Sequence, residues 1–239
     1  MNQIAFAIEP NRLKLIWQSS GENRKKFVVG ELVRSDQSVS LSYFRLSMDF
    51  VEAVSVGFSG HPAFDVAFPV HHHNVIEVFS KRIPPRNRTD FIAYLQNHRL
   101  ERFPNLSNFA LLGYTGAYLP GDGFSFAIDF SYQNLPFQFL MEVSGFQYYE
   151  GMNLGINDLI GNYVYFVPEP ENPYDPSAVK IYNGLSHIGY VPRYYSPIFN
   201  YWMQYCECYA SIEKVDGILA KPQVYLIIAI HPKSGNQLT

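Results

Sequence analysis

The sequence predicts an α+β protein: a strand-rich N-terminal domain with short helices over residues 1–135, then a small β-barrel with one helix over residues 136–239. Three observations predict it. Apolar residues alternate at period two along many short segments, helical spacing is confined to a few short stretches, and a polar turn over residues 131–136 separates two strand-like runs. A chain of 239 residues is long enough for one large domain or two small ones, each with its own core. With 47% hydrophobic and 16% charged residues it reads as folded. The 18 Tyr and 19 Phe exceed what a core requires, which points to aromatic surfaces that bind bases or protein partners.

In chain order, residues 12–17, 26–33 and 39–44 are expected strands, the first two separated by the polar turn Ser19-Ser20-Gly21-Glu22-Asn23. Gly57, Gly60, Pro62 and Pro69 break regular structure, so 55–75 reads as an irregular connection. Beyond Pro84-Pro85, Asn87 or Thr89 is placed to cap a helix whose Phe91, Tyr94 and Leu95 share one face. A second short helix spans 107–112, capped by Ser107 or Asn105 and stopped at Gly113. Residues 115–123 are loop and 124–130 resume as strand.

The C-terminal part reads as strands at 137–143, 163–167, 178–182, 187–191 and 223–230. One helix interrupts them, with Ser196 as cap and Pro197 in the first helical position, followed by Ile198, Tyr201, Trp202 and Tyr205 at helical spacing. Several short strands and one helix fit a small, partly closed barrel.

The formal net charge of −3 argues against broad binding to duplex DNA, where affinity comes from neutralising many phosphates. It leaves room for a pocket that takes one strand end. The first residues lack the layout of a signal peptide, and no apolar run reaches the length needed to cross a bilayer. Cys206 and Cys208 flank one residue, so a disulfide between them is strained and reduced thiols in a cytoplasmic protein are expected.

The most specific stretch is Val167-Pro168-Glu169-Pro170-Glu171-Asn172-Pro173-Tyr174-Asp175-Pro176-Ser177-Ala178-Val179, followed by Ile188-Gly189-Tyr190-Val191-Pro192-Arg193. Closely spaced prolines stiffen a loop between two strands, and Asp175 before Pro176 is pushed toward an extended conformation. The loop thus presents a ring, Tyr174, beside a carboxylate, Asp175, with Arg193 not far beyond. A ring, an acid and a cation on one rim supply stacking, hydroxyl recognition and phosphate neutralisation. The bland account is turn architecture: an Asp in a turn caps backbone amides, and surface arginines are common.

These residues resemble the signature of the HIRAN domain, an E-P-x-N-P-Y-D-x-x-A loop followed by an I-G-Y-x-P-R segment. Upstream, Val143-Ser144-Gly145-Phe146-Gln147-Tyr148-Tyr149-Glu150-Gly151 is similar to the family's opening strand. The resemblance covers roughly residues 136–231. The family occurs alone in bacteria and fused to helicase-like remodellers in eukaryotes, and its best-understood members bind the 3′ end of single-stranded DNA. The resemblance implies that Tyr148 and Tyr174 sandwich the terminal base, that Asp175 accepts a hydrogen bond from the 3′-hydroxyl, and that Arg193 meets a phosphate. Tyr190 stands where the characterised end-binder has a histidine contacting phosphate; a phenol donates one hydrogen bond and carries no charge.

In the N-terminal half, Val29-Gly30-Glu31-Leu32, Val78-Phe79-Ser80-Lys81-Arg82-Ile83-Pro84-Pro85-Arg86-Asn87-Arg88 and Leu111-Leu112-Gly113-Tyr114-Thr115-Gly116-Ala117 resemble the small N-terminal region of HipA-type toxin kinases. That resemblance implies docking or regulation, since nothing with the length or residues of a kinase core follows. The cations at 81–88 read either as phosphate holders or as a solvated approach to a helix, with Arg86 or Arg88 pairing Asp90 or Glu77.

His71-His72-His73 lacks the further ligands a metal site needs, the glycine-rich stretches lack a P-loop lysine, and Cys206 has no activating histidine nearby in sequence. The expectation is a non-enzymatic protein without cofactor or metal that recognises single-stranded DNA, its 3′ end in particular, with RNA left open as a ligand. The rival is an interaction protein whose aromatic barrel or N-terminal domain docks onto a toxin, nuclease or helicase; no membrane partner is expected.

Overall fold

A computed structural model describes residues 3–20, 24–36, 38–119, 121–218 and 220–233. The chain divides into two units, Ile8–Gln133 on one hand and Asn134–Thr239 with Met1–Ala7 on the other.

The unit Ile8–Gln133 contains β1 (Arg12–Gln18), β2 (Lys26–Arg34), β3 (Val39–Tyr43), α1 (Met48–Ser55), β4 (Val70–His71), α2 (Val75–Ser80), α3 (Phe91–Asn97), α4 (Asn108–Thr115) and β5 (Phe124–Ile128). Its strands form one sheet in the order β4-β3-β2-β1-β5, with every pair antiparallel. Alternation does the work in β3, where Val39, Leu41 and Tyr43 are buried and the serines between them are not. Of the polar turn expected between β1 and β2, Gly21, Glu22 and Asn23 lie outside the described residues.

Helix α4 lies directly on this sheet. A Cβ at Gly113 would stand 2.6 Å from both Ile128 Cγ1 and Leu13 Cδ2, so only glycine permits that approach. The glycine expected to stop the helix is therefore a packing position, and the helix runs on to Thr115. Ser107 caps it as expected, accepting from the Ala110 amide at 3.0 Å. For α3 the expectation fails: Asp90 holds the cap position, and neither Asn87 nor Thr89 caps. The connection 55–75 is also less irregular than expected, since β4 forms within it.

The second unit contains β6 (Phe137–Glu142), 3-10 turns at Phe146–Tyr148 and Glu150–Asn153, α5 (Ile156–Leu159), β7 (Tyr165–Pro168), β8 (Val179–Asn183), β9 (Ser186–Tyr190), α6 (Ser196–Tyr205), β10 (Cys206–Ile218) and β11 (Lys221–Pro232). The first residues of the chain join it: the Gln138 amide donates to the Phe6 carbonyl, and the Ala5 amide donates to Gln138 Oε1. Phe199 and Trp202 of α6 pack against Phe166 and Phe137, with ring centroids 4.9 and 5.5 Å apart. Pro197 sits in the first turn of α6, but Tyr195 rather than Ser196 is the cap residue.

The strands of this unit do not close into the expected barrel. They form two three-stranded sheets, β10-β11-β6 and β7-β8-β9. Single bridges, Ser144 to Tyr190 and Tyr163 to Ser211, are all the strand pairing that links them among the described residues. A barrel needs a continuous ladder at each seam, and one bridge supplies only a point of contact.

Candidate nucleic-acid interface

The loop between β7 and β8 is organised by one side chain. Asn172 Oδ1 accepts from the amides of Tyr174 at 3.0 Å and Asp175 at 3.1 Å, while its Nδ2 donates to Glu169 Oε2 at 2.6 Å. Asp175 Oδ1 then accepts from the Ser177 amide at 2.9 Å and the Ser177 hydroxyl at 2.6 Å. Side-chain mimicry of backbone turns explains why asparagine and aspartate stand here among the prolines. The outcome is a fixed backbone carrying a Tyr174 ring that is 90% exposed. Asp175 Oδ2 has no hydrogen-bond partner among the described residues.

Glu169 is the hub below that loop. It accepts from Lys180 Nζ at 2.6 Å, from Asn172, and from the Tyr190 hydroxyl at 2.8 Å. The hydrogen bonds from Lys180 and Asn172 pull its carboxyl down to about 2. Burial and the Glu169 charge push the Tyr190 phenol up, and the Glu169 contact raises Lys180. The single phenolic proton of Tyr190 is thus directed at Glu169.

Tyr190 also ties the loop to the segment after β6. Its backbone exchanges hydrogen bonds with Ser144 at 2.8 and 2.9 Å. Gly189 makes this possible: its φ is +139°, and a Cβ there would meet Ser144 O and Val143 Cγ1 at 2.6 Å. Beyond Ser144 the chain turns into the 3-10 helix that buries Phe146 and leaves Tyr148 75% exposed. Tyr149 stands beside Tyr148 over Gly145 and meets Tyr190 at 5.5 Å between centroids.

The five residues singled out in the sequence are therefore placed as follows. Tyr148 and Tyr174 are exposed rings, Asp175 is a turn residue with one open oxygen, Tyr190 lies in β9 bonded to Glu169, and Arg193 is exposed just ahead of α6. A chain of contacts from Tyr174 and Asp175 through Asn172 and Glu169 to Tyr190 joins three of them. The sequence reading missed Glu169, Lys180 and Tyr149 as part of this arrangement. The signal available was alternation, since Lys180 and Tyr182 are two apart in β8 and share a face.

Residues 137–217 match the HIRAN domain family. The matched HIRAN region runs from β6 into β10 and contains all five residues. The crystal structure of the HIRAN domain of human HLTF is similar at 21% identity, covering 39% of this chain and 74% of that one, with a TM-score of 0.32. No curated protein matches the chain. Residues 1–136 lie outside the family match, and the HipA-like reading of the N-terminal half finds no support in these matches.

Within Ile8–Gln133 the basic stretch is largely tied up. Arg82 bonds Asp122 and the Ala117 and Phe124 carbonyls, Arg86 holds the Pro104 and Leu106 carbonyls, and Arg88 pairs with Asp90. A cleft of about 700 Å³ beside them is lined by Lys81, Ile83, Pro84 and Asn108, among others. His71 bonds the Asp65 carbonyl at 2.9 Å, and no group of three or more metal-ligating side chains occurs among the described residues. No helix among those residues is long and apolar enough to cross a membrane.

Proposed function

We propose that the HIRAN region recognises single-stranded DNA at its 3′ end and that the protein acts by binding rather than by catalysis. The observation that carries this reading is the Tyr174–Asp175 pair: a ring 90% exposed on a backbone held by Asn172, next to a carboxylate with one oxygen open. An exposed ring contributes little to the fold, and every base offers it a π face. Tyr148, also exposed, supplies the second ring. Asp175 Oδ2 accepts from the terminal hydroxyl, and Arg193 faces a backbone phosphate. Tyr190 acts through Glu169 in this reading, since its proton is already engaged.

Fluorescence anisotropy with a short single strand tests it, comparing a free 3′-hydroxyl with a 3′-phosphate. Wild type should prefer the hydroxyl, Asp175→Ala should lose the preference, and Tyr174→Ala should weaken binding by about 1–3 kcal/mol, the usual worth of one stacked base. Equal binding of both ends would remove end recognition, and no binding at low salt would remove the nucleic-acid reading.

A second reading, docking of a protein partner, is favoured by one feature of the N-terminal unit. Around α1, Leu46, Met48, Val51 and Val54 are 99%, 80%, 55% and 50% exposed. Neighbouring apolar side chains left in water are a mark of interaction surfaces.

A further inference from the structure

An aromatic ladder crosses the β7-β8-β9 sheet. Tyr165 lies opposite Tyr182, and Tyr182 lies opposite His187. Their rings run nearly parallel, with centroids 5.4 Å apart at 10° for the first pair and 5.3 Å apart at 28° for the second. Tyr149 continues the row, 4.4 Å from His187. Since Tyr148 and Tyr149 both flank Gly145, the ladder ends beside the exposed rings of the candidate site.

The ladder is on the wet side of its sheet. Val179, Ile181 and Ile188 fill the opposite face and are buried, whereas Tyr165 is 48% exposed. Its strand, β7, is the edge of the sheet, and its hydroxyl donates to the Gly184 carbonyl at 2.9 Å, which holds the ring in place. Cross-strand aromatic pairs do stabilise sheets. That role alone leaves unexplained why the row is continuous with the site and ends on an exposed ring. Charge is consistent with an occupant that stacks: Lys180 shares this face, and Glu169 neutralises it.

We infer that the outer face of the Tyr165 ring, the edge rung of this row backed by Tyr182 and His187, is a second stacking surface, which takes a base lying 5′ of the strand end held at Tyr174. The inference rests on the single-strand reading above. It makes the footprint several nucleotides long and tolerant of sequence, because every base has a π face.

The test is isothermal titration calorimetry of the full chain with oligothymidylates of two and six nucleotides bearing a free 3′-hydroxyl. The variants are Tyr165→Ala and Tyr165→Leu, the second keeping apolar bulk so that the sheet edge stays covered, and thermal melts check that each is folded. In wild type the six-mer should bind roughly tenfold tighter than the dinucleotide, and in both variants that ratio should fall to about one. A ratio near one in wild type, or a tenfold ratio retained in both variants, overturns the second surface while leaving the end pocket standing. Failure of every oligonucleotide to bind wild type overturns both.

Discussion

Glu169 shows how much of the candidate site depends on one residue. Its carboxylate gathers a lysine, an asparagine and a tyrosine, and its proton affinity falls accordingly. The folded-state value of about 2 lies below the ordinary 4.5, so the unfolded chain takes up the proton first on acidification. Stability from these contacts is fully present above pH 4.5 and is lost as the pH falls toward 2. Burial lowers His187 below 6.5 as well, which adds a loss in the same direction beginning at milder acidity. Urea midpoints measured against pH should therefore decline through the lower window in wild type. In Glu169→Gln the midpoint should be lower at neutral pH and its decline between 4.5 and 2 shallower. An unchanged slope would show that the network adds nothing to folding.

At the scale of elements, what was legible in the sequence followed from local chemistry. The proline-rich loop could be read because Asn172, Asp175 and the prolines act on residues one to three positions away. Ser107 could be read for the same reason. The aromatic ladder could not, because it depends on which residues of β7, β8 and β9 stand opposite one another, and a bulge at Ile181/Tyr182 shifts that register. Strand β10 was hidden in a similar way. A bulge between Ile212 and Lys214, together with the Tyr163 bridge that covers Ser211, leaves Ala210, Ser211, Ile212 and Glu213 all buried, which erases the period of two. Gly189 joins the two kinds of information, being visible in the motif and explained only by the approach of Ser144. Gly189→Ala is expected to destabilise the protein by about 1–3 kcal/mol through the positive φ and the Ser144 clash, read as a lower urea midpoint.

For the molecule as a whole, charge limits the manner of binding. The net charge is −3, and Lys180 on the candidate face is already paired. Single-strand binding loses affinity with salt at a slope of about −0.7 per phosphate neutralised. With Arg193 as the cation proposed to meet phosphate, the dependence of log affinity on log salt should be shallow, about −1 or less steep. Titrations between low and physiological salt check this, and a slope of about −3 or steeper would mean that several cations grip the strand. The expected barrel is the fold-level feature that the sequence did not resolve. Local patterning identifies strands, but closure is settled by pairing between residues far apart, here reduced to the bridges at Ser144 and Tyr163.

The anchoring of the loop by Asn172 has a kinetic consequence. Because the backbone of Tyr174 and Asp175 is fixed before any ligand arrives, little conformational entropy remains to be lost on the protein side when a strand end docks. Encounter rates should then vary little between ligands, and discrimination among strand ends should appear as differences in residence time.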